Sequence, residues 1–193
     1  MENASLTADE RAFLLKLARN TIKRALEGES QTFQDDWQVP ARLQVPRATF
    51  VTLHTTNGAL RGCIGSLQAH RPLVEDVRSN ALAAAFEDPR FPELSSCEIP
   101  EIIIEVSVLS VPHTLEFMNG DDLLRKLRPR IDGVVLERGW HRATFLPQVW
   151  EQLSSPRDFL RNLCYKAGLP ADAWCNTDVK ISTYQVEEFT ESE

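Results

Sequence analysis

Residues Leu60-Arg61-Gly62-Cys63-Ile64-Gly65-Ser66 hold a thiol between two glycines, inside a run that otherwise reads as a β-strand. Glycine weakens a strand, so two in one strand mark a bulge, a tight bend or the close approach of a ligand or another backbone. The chemistry open to Cys63 is nucleophilic, because a thiolate attacks electrophilic carbon once a positive charge or a nearby base favours its formation. Arg61 supplies a positive charge in the sequence itself. His54, across a predicted hairpin, and His70, just after the motif, are candidate proton acceptors, and Glu105 either orients one of them or accepts the proton directly. The same residues also fit two other readings. Cys63 can be a small buried hydrophobe with the glycines admitting a helix close to the strand. Alternatively, the peptide N–H groups at Gly62 and Gly65, with the Arg61 fork, can form a surface that holds an anion or a peptide carboxylate. Asp88 and Arg90 belong to this set: they line a cleft with Arg61, or Asp88-Pro89-Arg90 is a turn whose carboxylate accepts backbone hydrogen bonds.

Other chemistries find little support. His54, His70, His113 and His141 have neither H-x-x-x-H nor H-E-x-x-H spacing, and Cys63, Cys97, Cys164 and Cys175 form no C-x-x-C pair, so no metal site is expected. Glycine-rich phosphate loops of the G-x-G-x-x-G and G-x-x-x-x-G-K kinds are missing, and no cofactor is indicated. The net charge of -7 over 193 residues argues against general nucleic-acid binding. Arg125-Lys126-Leu127-Arg128-Pro129-Arg130, the densest basic run, reads as the polar end of a helix. No stretch approaches a membrane span, and no apolar leader follows the charged N-terminus. With unpaired, irregularly spaced cysteines, a reduced cytoplasmic protein is expected.

The elements that must position these residues can be read from periodicity. Thr7-Ala8-Asp9-Glu10 is a capping-box pattern, and Phe13, Leu14, Leu17, Ala18, Ile22 and Ala25 follow at helical spacing to a stop at Gly28. An irregular connection over 28–46 contains Phe33 and Trp37, whose rings should pack. Thr49–Leu53 and Leu60–Leu67 flank Asn57-Gly58, a hairpin signal. Regular alternation would put Arg61 and Cys63 on one face of the second strand and Leu60 and Ile64 on the other. Pro72 opens a helix through Phe86 with an alanine-rich face suited to lying close to a sheet. Ile102–Leu109 reads as a central strand in which Glu105 needs a partner. Leu123, Leu124 and Leu127 mark a short helix, Gly133–Glu137 and Thr144–Leu146 a second hairpin bent at Gly139-Trp140, Arg157–Ala167 a helix ended by Gly168, and Val179–Val186 a last strand. Two hairpins with irregularly alternating helices predict an α+β fold on a mainly antiparallel sheet with flanking helices.

Five segments together resemble the AMMECR-domain family, of the kind called AmmeMemoRadiSam system protein A. They are Leu-Arg-Gly-Cys-Ile-Gly at 60–65, Ala-Ala-Phe-Glu-Asp-Pro-Arg-Phe-Pro at 84–92, Ile-Glu-Val-Ser-Val-Leu-Ser at 104–110, Thr-Phe-Leu-Pro-Gln-Val at 144–149 and Leu-Cys-Tyr-Lys-Ala-Gly-Leu at 163–169. The chain departs from the family pattern at Glu151–Arg157 and Gly139–Arg142. The resemblance implies one AMMECR-like domain over 5–189, with a large sheet-bearing lobe and a smaller appended lobe. It carries no established reaction. It implies a Memo-like protein and a radical SAM protein as partners, so Cys63 has three readings: reactive thiol, part of a non-enzymatic docking surface for such a partner, or a residue the partner modifies.

Overall fold

The computed structural model describes residues 5–28, 38–176 and 178–191, so the expected packing of Phe33 and Trp37 lies outside the described residues. The chain forms two compact units, Met1–Leu109 with Glu187–Glu193, and Ser110–Val186.

In the first unit, Thr7 caps helix α1 (Ala8–Leu26): its side chain accepts from Glu10 N–H while the Glu10 carboxylate accepts from Thr7 N–H. Strands β1 (Thr49–Thr55) and β2 (Leu60–Gly65) form the hairpin at Asn57-Gly58, with Gly58 at φ +86° in the left-handed region. Helix α2 (Leu73–Phe86) follows, with Pro72 as its cap residue and not yet in its first turn. Strand β3 (Ile102–Leu109) pairs antiparallel with β1, and β8 (Val186–Thr190) completes a sheet of order β2-β1-β3-β8. Leu14, Leu17, Ala18 and Ile22 of α1 and Leu73, Val77, Ala81 and Ala84 of α2 cover one sheet face, meeting Val51, Leu53, Ile104 and Val106. Their combined burial supplies the main driving force for this unit.

The second unit holds helices α3 (Gly120–Lys126) and α4 (Pro156–Lys166) and a sheet of order β4-β7-β5-β6. Its strands are β4 (His113–Thr114), β5 (Gly133–Arg138), β6 (His141–Phe145) and β7 (Lys180–Tyr184). Trp150 stacks on Phe159 at 3.7 Å between ring centroids, and the Trp150 indole N–H donates to the Asp132 carbonyl at 2.7 Å. A groove of about 400 Å³ is lined by residues of this unit, among them Leu115, Phe117, Val179 and Lys180.

The α+β class with antiparallel sheets is as the sequence predicts. One correction concerns the end of the chain. The single strand expected over 179–186 is two strands, β7 and β8, that break at Gln185 and belong to different sheets. Alternation carries no mark of such a transfer, because both strands keep the same period. No described helix is long and apolar enough to cross a membrane.

Candidate functional site

The site grows from the register of three strands. Thr52 lies opposite Cys63 on β2 and opposite Glu105 on β3, so Cys63, Thr52 and Glu105 form one row across the sheet. His54 stands two residues along β1 on the same face. That face is the one turned away from α1 and α2, since the alternate residues Val51, Leu53, Ile104 and Val106 enter the core. Cys63 is half-buried, and the Thr52 hydroxyl donates to its sulfur at 3.3 Å. His54 Nε2 lies 3.8 Å from Glu105 Oε2, which gives the carboxylate its partner and an imidazolium its counter-charge. The row leaves Glu105 two strands from the sulfur, about 10 Å at ordinary strand spacing, too far to take the thiol proton directly.

The β1/β2 register slips between Leu53 and His54. Gly62 faces Leu53, but Leu60, and not Arg61, faces His54. Arg61 is therefore the extra residue of a β-bulge, and the regular alternation that placed Arg61 beside Cys63 is corrected. The guanidinium goes instead to Glu98, with Nε–Oε1 at 2.7 Å, and its Nη2 also donates to the Glu93 carbonyl. Arg61 is buried and its Nη1 has no hydrogen-bond partner among the described groups. Hydrogen bonds from Arg61, and then from Ser95, hold the Glu98 carboxyl down to about 2.

The cation that touches Cys63 is Arg90. Strand β2 is the last in its sheet, and the Cys63 peptide faces outward from it. Its N–H donates to Asp88 Oδ2 at 2.8 Å, and its carbonyl accepts from Arg90 Nη2 at 3.2 Å. Asp88 and Arg90 are themselves paired through Nε–Oδ1 at 2.9 Å and Nη2–Oδ2 at 2.7 Å, and the Arg90 backbone N–H also donates to Oδ1. The Arg90 side chain first, and then the Cys63 and Arg90 N–H groups, hold the Asp88 carboxyl well below the usual carboxylate range against the opposing effect of its burial. Asp88-Pro89-Arg90 thus does accept backbone hydrogen bonds, and it brings a charged pair to the Cys63 peptide at the same time.

Both glycines of the motif have steric reasons. A Cβ on Gly62 would lie 2.2 Å from the Ala84 carbonyl oxygen of α2, which fits the reading that the strand admits a close helix. On Gly65, a Cβ would meet the Phe50 ring at 2.2 Å. Sequence reasoning missed Thr52 and Glu98. Thr52 could have been found by counting back through the Asn57-Gly58 turn. The described cysteines are all free thiols, and no cluster of three or more potential metal-ligating His, Cys, Asp or Glu side chains occurs among the described residues.

With this geometry in view, the comparisons are informative. The sequence pattern of the AMMECR1 family matches residues 15–189, taking in all of the site. The chain belongs to the AMMECR1 family. An archaeal relative from Methanothermobacter thermautotrophicus is 38% identical over 192 residues, covering 99% of both chains. Protein MJ0810 of Methanocaldococcus jannaschii is 35% identical, covering 97% of this chain and 93% of its own. The crystal structure of an uncharacterised Pyrococcus horikoshii protein, PH0010, matches with a TM-score of 0.78 at 34% identity, covering 96% of this chain and 93% of that one. These AMMECR1 relatives are similar across nearly their whole lengths and bring the family and the fold, with no reaction attached.

Proposed function

We propose that this AMMECR1 protein presents Cys63 as a reactive thiol and uses it on a small molecule or on a side chain of a partner protein. The observation that carries this reading is the Thr52 hydroxyl donating to a half-buried sulfur whose own peptide is gripped by the Asp88–Arg90 pair. In the reacting step the thiol proton passes to His54 or to water. The sulfur forms a bond to an electrophilic carbon, and the electron pair displaced from that carbon leaves with its leaving group or moves to its carbonyl oxygen. Glu105 stabilises the imidazolium if His54 takes the proton. Where the target is a protein, a Memo-like or radical SAM protein is the first candidate.

The test is native thiol alkylation across a pH series, resolved by mass spectrometry at all four cysteines. Cys63 is expected to react well before buried Cys164, and Cys63→Ser is expected to fold normally and lose function. Protection of Cys63 until the protein unfolds would end this reading. A second reading has its own support. Phe50, Leu60 and Ile103 are partly or well exposed, and pairing and alternation put them on the sheet face of Cys63. That apolar surface suits docking without turnover, for which Cys63→Ser would retain partner binding while Leu60→Glu would lose it.

A further inference from the structure

We infer that Arg90 is a specificity-determining residue for the Cys63 thiol, and that it selects electrophiles carrying a carboxylate or another small anionic group. This rests on the reading of Cys63 as a reactive thiol and adds the chemical class of what that thiol meets. The Arg90 guanidinium has five N–H donors. Its Nε and Nη2 are engaged by Asp88 and by the Cys63 carbonyl, while Nη1 has no described partner. The side chain is 53% exposed although its partner Asp88 is 2% exposed, so one end of the fork is anchored in the protein and the other is offered outward. The guanidinium carbon also lies 5.5 Å from the Phe91 ring centroid, which limits its freedom to turn away.

Arg61 does not do this work. Its fork is closed on Glu98, and its one unpartnered nitrogen is buried where no ligand reaches it. The surroundings make the preference a local matter. Asp88 neutralises the Arg90 charge at long range, and the whole chain carries a net charge of -7, so general electrostatic attraction does not favour an anion. What remains is a short-range, directional contact from Nη1 to an oxygen anion beside the sulfur. Planar guanidinium donors suit carboxylate and phosphate oxygens in this way.

The experiment compares iodoacetate with iodoacetamide on the intact protein. The two reagents place the same –CH2– on sulfur with loss of iodide and differ in charge. Rates are read by mass spectrometry at Cys63 and, as internal references, at exposed Cys97 and Cys175. The iodoacetate-to-iodoacetamide rate ratio at Cys63 is expected to exceed the reference ratio roughly tenfold, about what one charge-assisted hydrogen bond contributes. The excess should disappear in Arg90→Ala and persist in part in Arg90→Lys. Because Arg90→Ala also breaks the grip on the Cys63 peptide, the wild-type protein supplies an independent readout. Raising the salt to about 1 M, or adding acetate as competitor, should bring the Cys63 ratio down toward that of the references. A Cys63 that reacts readily with both reagents at the reference ratio overturns the anion preference and leaves the reactive thiol standing. A Cys63 inert to both until unfolding overturns both.

Discussion

The two units handle their buried acids differently. In the second unit each acid is paired close by in sequence: Asp122 with Arg125 and Lys126, and Asp132 with Arg128, all three or four residues apart. In the first unit local partners, such as Arg90 for Asp88, are joined by distant ones. Buried Asp88 reaches Cys63 across 25 residues, half-buried Glu98 reaches Arg61 across 37, and buried Asp76 accepts from the Thr49 N–H and hydroxyl across 27. Asp76 also accepts from Ser66, Arg71 and Asn80, which ties the start of α2 to β1 and to the end of β2. Pairs of the first kind form as soon as a helix or turn forms. Those of the second kind exist only once the sheet and its surrounding segments are assembled, so they report on tertiary structure. The chemistry-bearing residues belong to the unit with distant pairs, where each polar group is fixed by several others. In the second unit, stability rests more plainly on aromatic packing.

That contrast can be broken at several points. The largest effect is expected from Trp150→Ala in the second unit, which removes the stack on Phe159 and orphans the Asp132 carbonyl; a loss of about 3–5 kcal/mol should appear in urea unfolding. Alkali should also act on this unit. Burial pushes the Tyr184 hydroxyl up to about 12 and pushes the Cys164 thiol up as well. A raised acid contributes stability fully below its unfolded value and loses it as pH climbs to the folded one. For Tyr184 the window is therefore pH 10 to 12, and about 2–3 kcal/mol should be lost across it. Three of the four tryptophans, Trp140, Trp150 and Trp174, lie in this unit, so fluorescence follows it. Unchanged tryptophan emission between pH 9 and 12 would contradict the assignment.

In the first unit, Gly62→Ala drives a methyl group into the Ala84 carbonyl. It should cost about 1–3 kcal/mol in the same unfolding assay and disturb the Cys63 alkylation rate. Acid is the complementary probe of Glu98. Its folded value of about 2, against an ordinary 4.5, means that its contribution is complete above pH 4.5 and disappears as pH falls toward 2. Glu98→Gln should flatten the loss of stability over that window, and a variant that still follows the wild-type acid curve would remove Glu98 from the account. The smallest effect is expected from the exposed pair Arg138–Asp178. Asp178→Ala should change stability by less than about 1 kcal/mol and leave Cys63 untouched.

Legibility in the sequence followed the same division. The capping box at Thr7, the Asn57-Gly58 turn, the alanine face of α2 and the glycine stop at Gly168 are all local signals, and the structure has them where the sequence puts them. Cys63, Asp88 and Arg90 stood out as candidates, and they are in contact. Which arginine meets Cys63 was not legible, because one extra residue in β2 redirects Arg61, and nothing in Leu-Arg-Gly-Cys says that a bulge falls there. Glu98 was missed because its importance comes from a partner 37 residues away. The break at Gln185 was missed because a strand leaving one sheet for another keeps its alternation.

The grip of Asp88 and Arg90 on the Cys63 peptide also bears on how the chain behaves at high concentration. An outermost strand with free peptide groups is a template on which another copy can add a strand, and repeated addition produces aggregates. Here the outward N–H and carbonyl at the middle of β2 are already occupied by charged side chains. An incoming strand would have to displace a buried carboxylate and strand its charge. The sheet is thereby closed to growth on that side by the same two residues that grip the Cys63 peptide.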